Sequence, residues 1–93
     1  ILNVGHIPPQ EVAMTLKEAI ANRIIQLCEK RQLTVYSLAM ICGIDRTTLY
    51  SIIGNKSNNP EVTTIKKICD GLEITLGEFF STTEFDNLEQ EIK

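Results

Sequence analysis

"TVYSLAMICGIDRTTLYSII", residues 34–53, sets two capped helical segments around a single glycine. Thr34 stands where a side-chain oxygen can accept from the N–H groups that open a helix, and Leu38, Ala39 and Cys42 follow on one helical face. Gly43 supplies a residue for which positive φ is cheap, and Asp45 repeats the cap. From Arg46 onward, Leu49, Ile52 and Ile53 fall on an apolar side, which leaves Thr47, Thr48, Tyr50 and Ser51 outward. The pattern predicts helices over 35–42 and 46–53. Two such helices, each about two turns long and joined by a few residues, must cross steeply, and that arrangement is a helix-turn-helix. Ala39 is small where the second helix crosses closest, while Leu49 and Ile52 drop into the shared core.

Working outward, Thr15 and Glu18 form a T-x-x-E capping box, so a helix is expected to run from there to about Arg31. Its buried stripe is Leu16, Ile20, Ile24, Leu27 and Cys28, with Lys17, Glu18, Arg23, Glu29 and Lys30 facing out. After the loop "GNKSNNP", the segment "VTTIKKICDGL" reads as a fourth helix with Ile65, Ile68, Cys69 and Leu72 inward and Gly71 near its end. A second T-x-x-E box, Thr75 with Glu78, opens a fifth helix carrying Leu76, Phe79 and Phe80. Phe85, Leu88 and Ile92 fall at i, i+3 and i+7 on an acidic tail, an amphipathic spacing that serves either to cover the fifth helix or to dimerise. Strict apolar–polar alternation never persists long enough for a strand, so the chain is expected to be all-α. At 93 residues it fits one domain: an extended arm or appended lead over 1–14, with Met14 a candidate internal start, a helical domain over 15–81, and an acidic tail over 82–93.

Charge is distributed unevenly. Residues 13–67 hold eight bases against four acids, a local excess of +4, while residues 68–93 hold seven acids against Lys93 alone, a local −6. The formal net charge of −3 therefore does not describe the middle of the chain, where phosphate contact remains open. Cys28, Cys42 and Cys69 are widely spaced without a C-x-x-C pair, which favours three small core residues over a disulfide framework or a metal site. No nucleophile lies beside an activating base, and His6, in the proline-rich lead, has no partner with which to run chemistry. Catalytic residues, metal and cofactor are therefore not expected. With no apolar run of membrane-spanning length and no leader of the secretory kind, a soluble cytoplasmic protein is expected.

The segment "RIIQLCEKRQLTVYSLAMICGIDRTTLYSIIGNKSNNPEVTTIKKICDGLEITLGEFF", Arg23 to Phe80, resembles the Cro/C1-type helix-turn-helix family, also called Xre-like or lambda-repressor-like. The resemblance implies a compact five-helix bundle whose third helix lies in the DNA major groove, in a homodimer that reads a double-stranded operator. It implies base contacts from Arg46, Thr47, Thr48, Tyr50 and Ser51. Phosphate contacts fall to Thr34 and Tyr36 at the start of the second helix, and to Asn55, Lys56, Ser57 and Asn58 in the following loop, with Lys56 the best single candidate. The function it implies is a transcriptional regulator, a repressor rather than an activator.

Three departures from the family pattern stand out. Val35 replaces the common glutamine opening the second helix, and Gln32 replaces the usual glycine ending the first. Cys28 and Ile53 occupy the positions of a buried arginine–glutamate pair, an exchange of both charges for apolar groups that is close to neutral or favourable and that predicts their approach. The acidic C-terminal third and the single arginine on the reading face support a rival expectation, an antitoxin-like or other protein-interaction module that keeps the fold with weak or no DNA binding.

Overall fold

A computed structural model describes residues 14–54 and 59–92, and among these it holds six helices and no strand. They are α1 (Leu16–Arg31), α2 (Val35–Cys42), α3 (Arg46–Ile53), α4 (Val62–Leu72), α5 (Leu76–Phe79) and α6 (Thr83–Asp86). Both capping boxes form. The Thr15 hydroxyl accepts from the Glu18 N–H at 3.2 Å while the Glu18 carboxylate accepts from the Thr15 N–H at 3.0 Å, and this bonding holds the Glu18 carboxyl below its ordinary pKa. Thr75 and Glu78 repeat the exchange at the start of α5.

Three helix ends share one device. Gln32, Gly43 and Glu73 each take the left-handed conformation, with φ of 57°, 67° and 59°. The residue that follows each, Leu33, Ile44 or Ile74, donates its N–H back to Cys28, Ala39 or Cys69 at 2.8–3.0 Å and packs its side chain against the core. The third residue, Thr34, Asp45 or Thr75, caps the next helix. Each connection is thus three residues long: a left-handed residue, an apolar plug and a cap. Helix α4 spans Val62–Leu72 with Glu73 as its C-cap, so Gly71 stands near the helix end as expected, inside the last turn rather than at the left-handed cap. Gly71 serves a different purpose. A Cβ there would lie 2.5 Å from the Cys42 Sγ and 3.2 Å from the Cys42 Cα, so its lack of a side chain sets how closely α2 and α4 approach.

Helix α2 is central, touching α1, α3 and α4. Leu38 and Ala39 meet Ile24, Leu27, Leu49, Ile52, Ile65, Ile68 and Leu72 in one apolar cluster. Cys28 is buried in that cluster and Ile53 packs against it, so both apolar replacements lie in the core. Phe79 is fully buried with Phe80 and Phe85 around it, the ring centroids 4.9–6.2 Å apart. Two details of the expected α1 faces are corrected. Leu16 is exposed, and Arg23 turns in to donate to the Phe79 and Glu78 carbonyls at 2.7 and 2.8 Å, satisfying acceptors that the short α5 leaves open. Arg31 likewise donates to the Leu72 carbonyl at the end of α4. The tail forms one helical turn rather than a continuous amphipathic helix. Phe85 reaches the core, the Glu89 N–H donates to the Met14 carbonyl, and Ile92 is 89% exposed.

The left-handed side chains carry a strain that glycine lacks, so Gln32→Gly is expected to stabilise the fold by about 0.5–1 kcal/mol in urea unfolding, the unfolded-state entropy of glycine offsetting part of the gain. Gly71→Ala is expected to destabilise by about 1 kcal/mol despite alanine's helix propensity, with a smaller loss in a Cys42→Ala background where the Sγ is gone. Burial pushes the Cys42 thiol up to about 11, with Cys28 and Cys69 adding to the effect. Its folded-state pKa lies above the unfolded one, so the contribution to stability is complete below about pH 9 and falls as pH rises through about 11. Unfolding midpoints across pH 8–11, in wild type and Cys42→Ala, measure that difference.

Candidate nucleic-acid interface

Helix α3 is held by one face and open on the other. Leu49 and Ile52 are buried, and the Asp45 carboxylate accepts from the Thr47 N–H at 3.3 Å to fix the helix start. Arg46, Thr47, Thr48 and Tyr50 are exposed, with Tyr50 at 51%, and Ser51 is half-buried. The hydroxyls of Thr47, Thr48, Tyr50 and Ser51 have no hydrogen-bond partner among the described residues. A face of serine and threonine that gives nothing to its own helix is a face available to a ligand.

The start of α2 lies beside the start of α3. The Arg46 guanidinium sits over the Tyr36 ring, 5.3 Å from its centroid, so one expected base reader and one expected phosphate contact are brought together. Thr34 stands differently. Its hydroxyl accepts from the Ser37 N–H and donates to the Ser37 Oγ, both at 3.0 Å, which commits it to capping α2. Val35, in the place of the family's glutamine, is half-buried against the core. The four loop residues expected to grip phosphate, Asn55, Lys56, Ser57 and Asn58, lie outside the described residues.

On the far side of α3, Thr48, Ser51 and Ile52 line a shallow groove with Asn59, Pro60, Glu61 and Thr64. Glu61 and Thr64 were not among the expected site residues. The sequence signals only a helix starting shortly after Pro60, with Glu61 at its N-cap; that this first turn lies beside the end of α3 is a tertiary contact. Glu61 brings a carboxylate to a hydroxyl-rich groove, suited to accepting from an amine such as the cytosine N4 and unsuited to a bare phosphate.

The basic residues divide by task. Arg23 and Arg31 are spent on helix-end carbonyls and Lys66 pairs with Asp70 along α4. Arg46 is left as the cation of the α3 face. The thiols of Cys28, Cys42 and Cys69 are all raised by burial, which keeps them protonated near neutral pH and poor as nucleophiles. No helix among the described residues is long and apolar enough to cross a membrane.

Two solved structures are similar in fold. One is the prophage Lp1 protein 11, at 26% identity and a TM-score of 0.70 over 77% of this chain and 95% of that one. The other is an HTH_3 family transcriptional regulator from Vibrio cholerae, at 32% identity and a TM-score of 0.64 over 70% of this chain. The chain spans 36% of that regulator's length. No curated protein matches the sequence. Residues 23–84, from the α1 arginine that holds α5 to the turn of α6, match the Cro/C1-type HTH DNA-binding domain, and the chain belongs to that family.

Proposed function

We propose that this protein is a cytoplasmic transcriptional regulator, acting as a repressor, which binds a double-stranded DNA operator as a homodimer with α3 in the major groove. The observation that carries the reading is the division of α3: Leu49 and Ile52 anchor one side, while Thr47, Thr48, Tyr50 and Ser51 offer hydroxyls with no internal partner among the described residues and Arg46 offers its N–H edges from its place over the Tyr36 ring. Arg46 can donate bidentately to guanine O6 and N7, and Thr47 and Ser51 suit a base edge or a thymine methyl. The Tyr36 hydroxyl, the N-terminal turn of α2 at Thr34, and Asn55, Lys56, Ser57 and Asn58 are assigned to the flanking phosphates, which set register rather than sequence. The family supports DNA as the partner. Two copies related by a two-fold axis would present their α3 helices about 34–36 Å apart, one turn of B-DNA.

A second reading draws support from the acidic C-terminal third and from Glu61 beside the reading face: a protein-interaction module of the antitoxin-like kind, with weak or no affinity for DNA. Salt separates the two. A DNA binder releases counterions, so log K falls against log salt concentration with a slope of about −0.9 per phosphate neutralised. A flat salt dependence together with no duplex binding favours the interaction module.

Selection of bound duplexes from a random pool is expected to return a two-fold symmetric site. Arg46→Ala and Thr47→Ala should each relax preference at separate positions, by about 1–3 kcal/mol for the bidentate arginine contact. The cap that starts α3 uses the Thr47 backbone N–H, so Thr47→Ala removes the hydroxyl and leaves the cap in place. Unchanged preference in both variants would rule out α3 as the reader.

A further inference from the structure

Arg46 is the first residue of α3, and its charge is placed against the local field. The N-terminus of a helix carries a partial positive charge, which disfavours a cation there and tends to swing a flexible side chain away. The nearest acid in sequence, Asp45, accepts from the Thr47 N–H with its carboxylate, and among the described residues no acid is ion-paired with Arg46. Val35, at the start of α2, has no polar group to offer. What does meet the guanidinium is the Tyr36 ring, 5.3 Å from centroid to carbon and 47% exposed. A ring engages the face of a guanidinium and leaves its N–H edges open, and those edges are what a guanine reads.

Resting on the reading of α3 given above, we propose that Tyr36 is the positioning residue for Arg46, a platform that offsets the helix-end repulsion and holds the guanidinium fork ready for a base pair. The platform lies on α2 and the reader on α3, so base recognition depends on the crossing of the two helices as well as on α3 itself. Ordering the arginine before binding removes part of the entropy loss that an unsupported side chain suffers on reaching the groove. The effect belongs to one base pair, the one Arg46 reads. It is separate from any contact the Tyr36 hydroxyl makes with phosphate, because the ring acts through its face and the hydroxyl through its edge.

The test compares two duplexes, the selected operator and the same duplex with the Arg46-dependent base pair replaced, against wild type, Tyr36→Phe, Tyr36→Leu, Arg46→Ala and the double variant Tyr36→Leu/Arg46→Ala. Tyr36→Leu is expected to reduce discrimination between the duplexes about two- to fivefold, the range of an exposed cation–π contact. Tyr36→Phe is expected to keep that discrimination, and Tyr36→Leu is expected to cause no further loss once Arg46 is alanine. In the free protein, the Arg46 δ-methylene protons should show a ring-current shift that Tyr36→Phe retains and Tyr36→Leu abolishes. Discrimination intact in Tyr36→Leu overturns the platform. So does a loss of discrimination in Tyr36→Phe equal to that in Tyr36→Leu, or a fall in discrimination from Tyr36→Leu that is as large in the Arg46→Ala background, since either result takes the effect away from the ring and its guanidinium. Wild-type protein that prefers no duplex overturns the reading of α3 and the platform with it, whereas failure of the platform alone leaves wild-type preference intact.

Discussion

The bundle depends on a three-residue connector used three times: a residue in the left-handed conformation, an apolar residue, then a capping side chain. The left-handed residue reverses the chain, and the next N–H reaches back to an otherwise open carbonyl. The apolar residue locks the turn to the core, and the cap begins a new helix at once. Gly43 takes this conformation without strain; Gln32 and Glu73 do not. Those two sites persist because Leu33 and Ile74 bury apolar surface that holds the turns closed. Short, fixed connectors also set the orientation of α3, since its start is pinned by Ile44 on one side and Asp45 on the other.

Much of this was legible in the sequence because the signals are local. The two T-x-x-E boxes, the caps at Thr34 and Asp45, and the apolar spacing of Leu49 with Ile52 each lie within one or two helical turns, and each appears in the structure where it was read. The contacts that were misread join distant parts of the chain. Arg23 looked like a surface residue by helical phase, yet its partners are the carbonyls of residues 78 and 79. Gly71 was read by its place near the end of α4, whereas its role is set by Cys42 on another helix. Glu73 has no intrinsic preference for the left-handed region, so nothing in its identity announced that it would close α4 in that conformation. For the candidate site the outward face of α3 was readable from periodicity, while the Arg46–Tyr36 stack and the groove with Glu61 required the crossing of helices.

The distribution of charge takes on a physical meaning once the contacts are known. The excess of bases in the middle of the chain is partly architectural, because Arg23 and Arg31 act as donors to helix ends rather than as a field toward solvent. The outward face of α3 is therefore rich in neutral hydroxyls and poor in cations. In the proposed function such a surface would gain little from long-range attraction and would rely on fit at short range, or on the shape of the duplex. The acidic tail is not remote from the domain, since Phe85 joins the aromatic cluster and Glu89 is tied back to Met14.

The connectors also divide the molecule into a part whose length is rigid and a part whose chemistry is free. One residue inserted between α2 and α3 would upset the spacing of left-handed residue, plug and cap, in which Ile44 donates back to Ala39 and Asp45 accepts from Thr47. The outward side chains of α3 carry no such obligation, for among the described residues they bond to nothing inside. In the proposed function, single exchanges on that face would alter what is bound while the interior stays as it is. Arg46 is the exception, since its place over the Tyr36 ring ties the chemistry of α3 to α2.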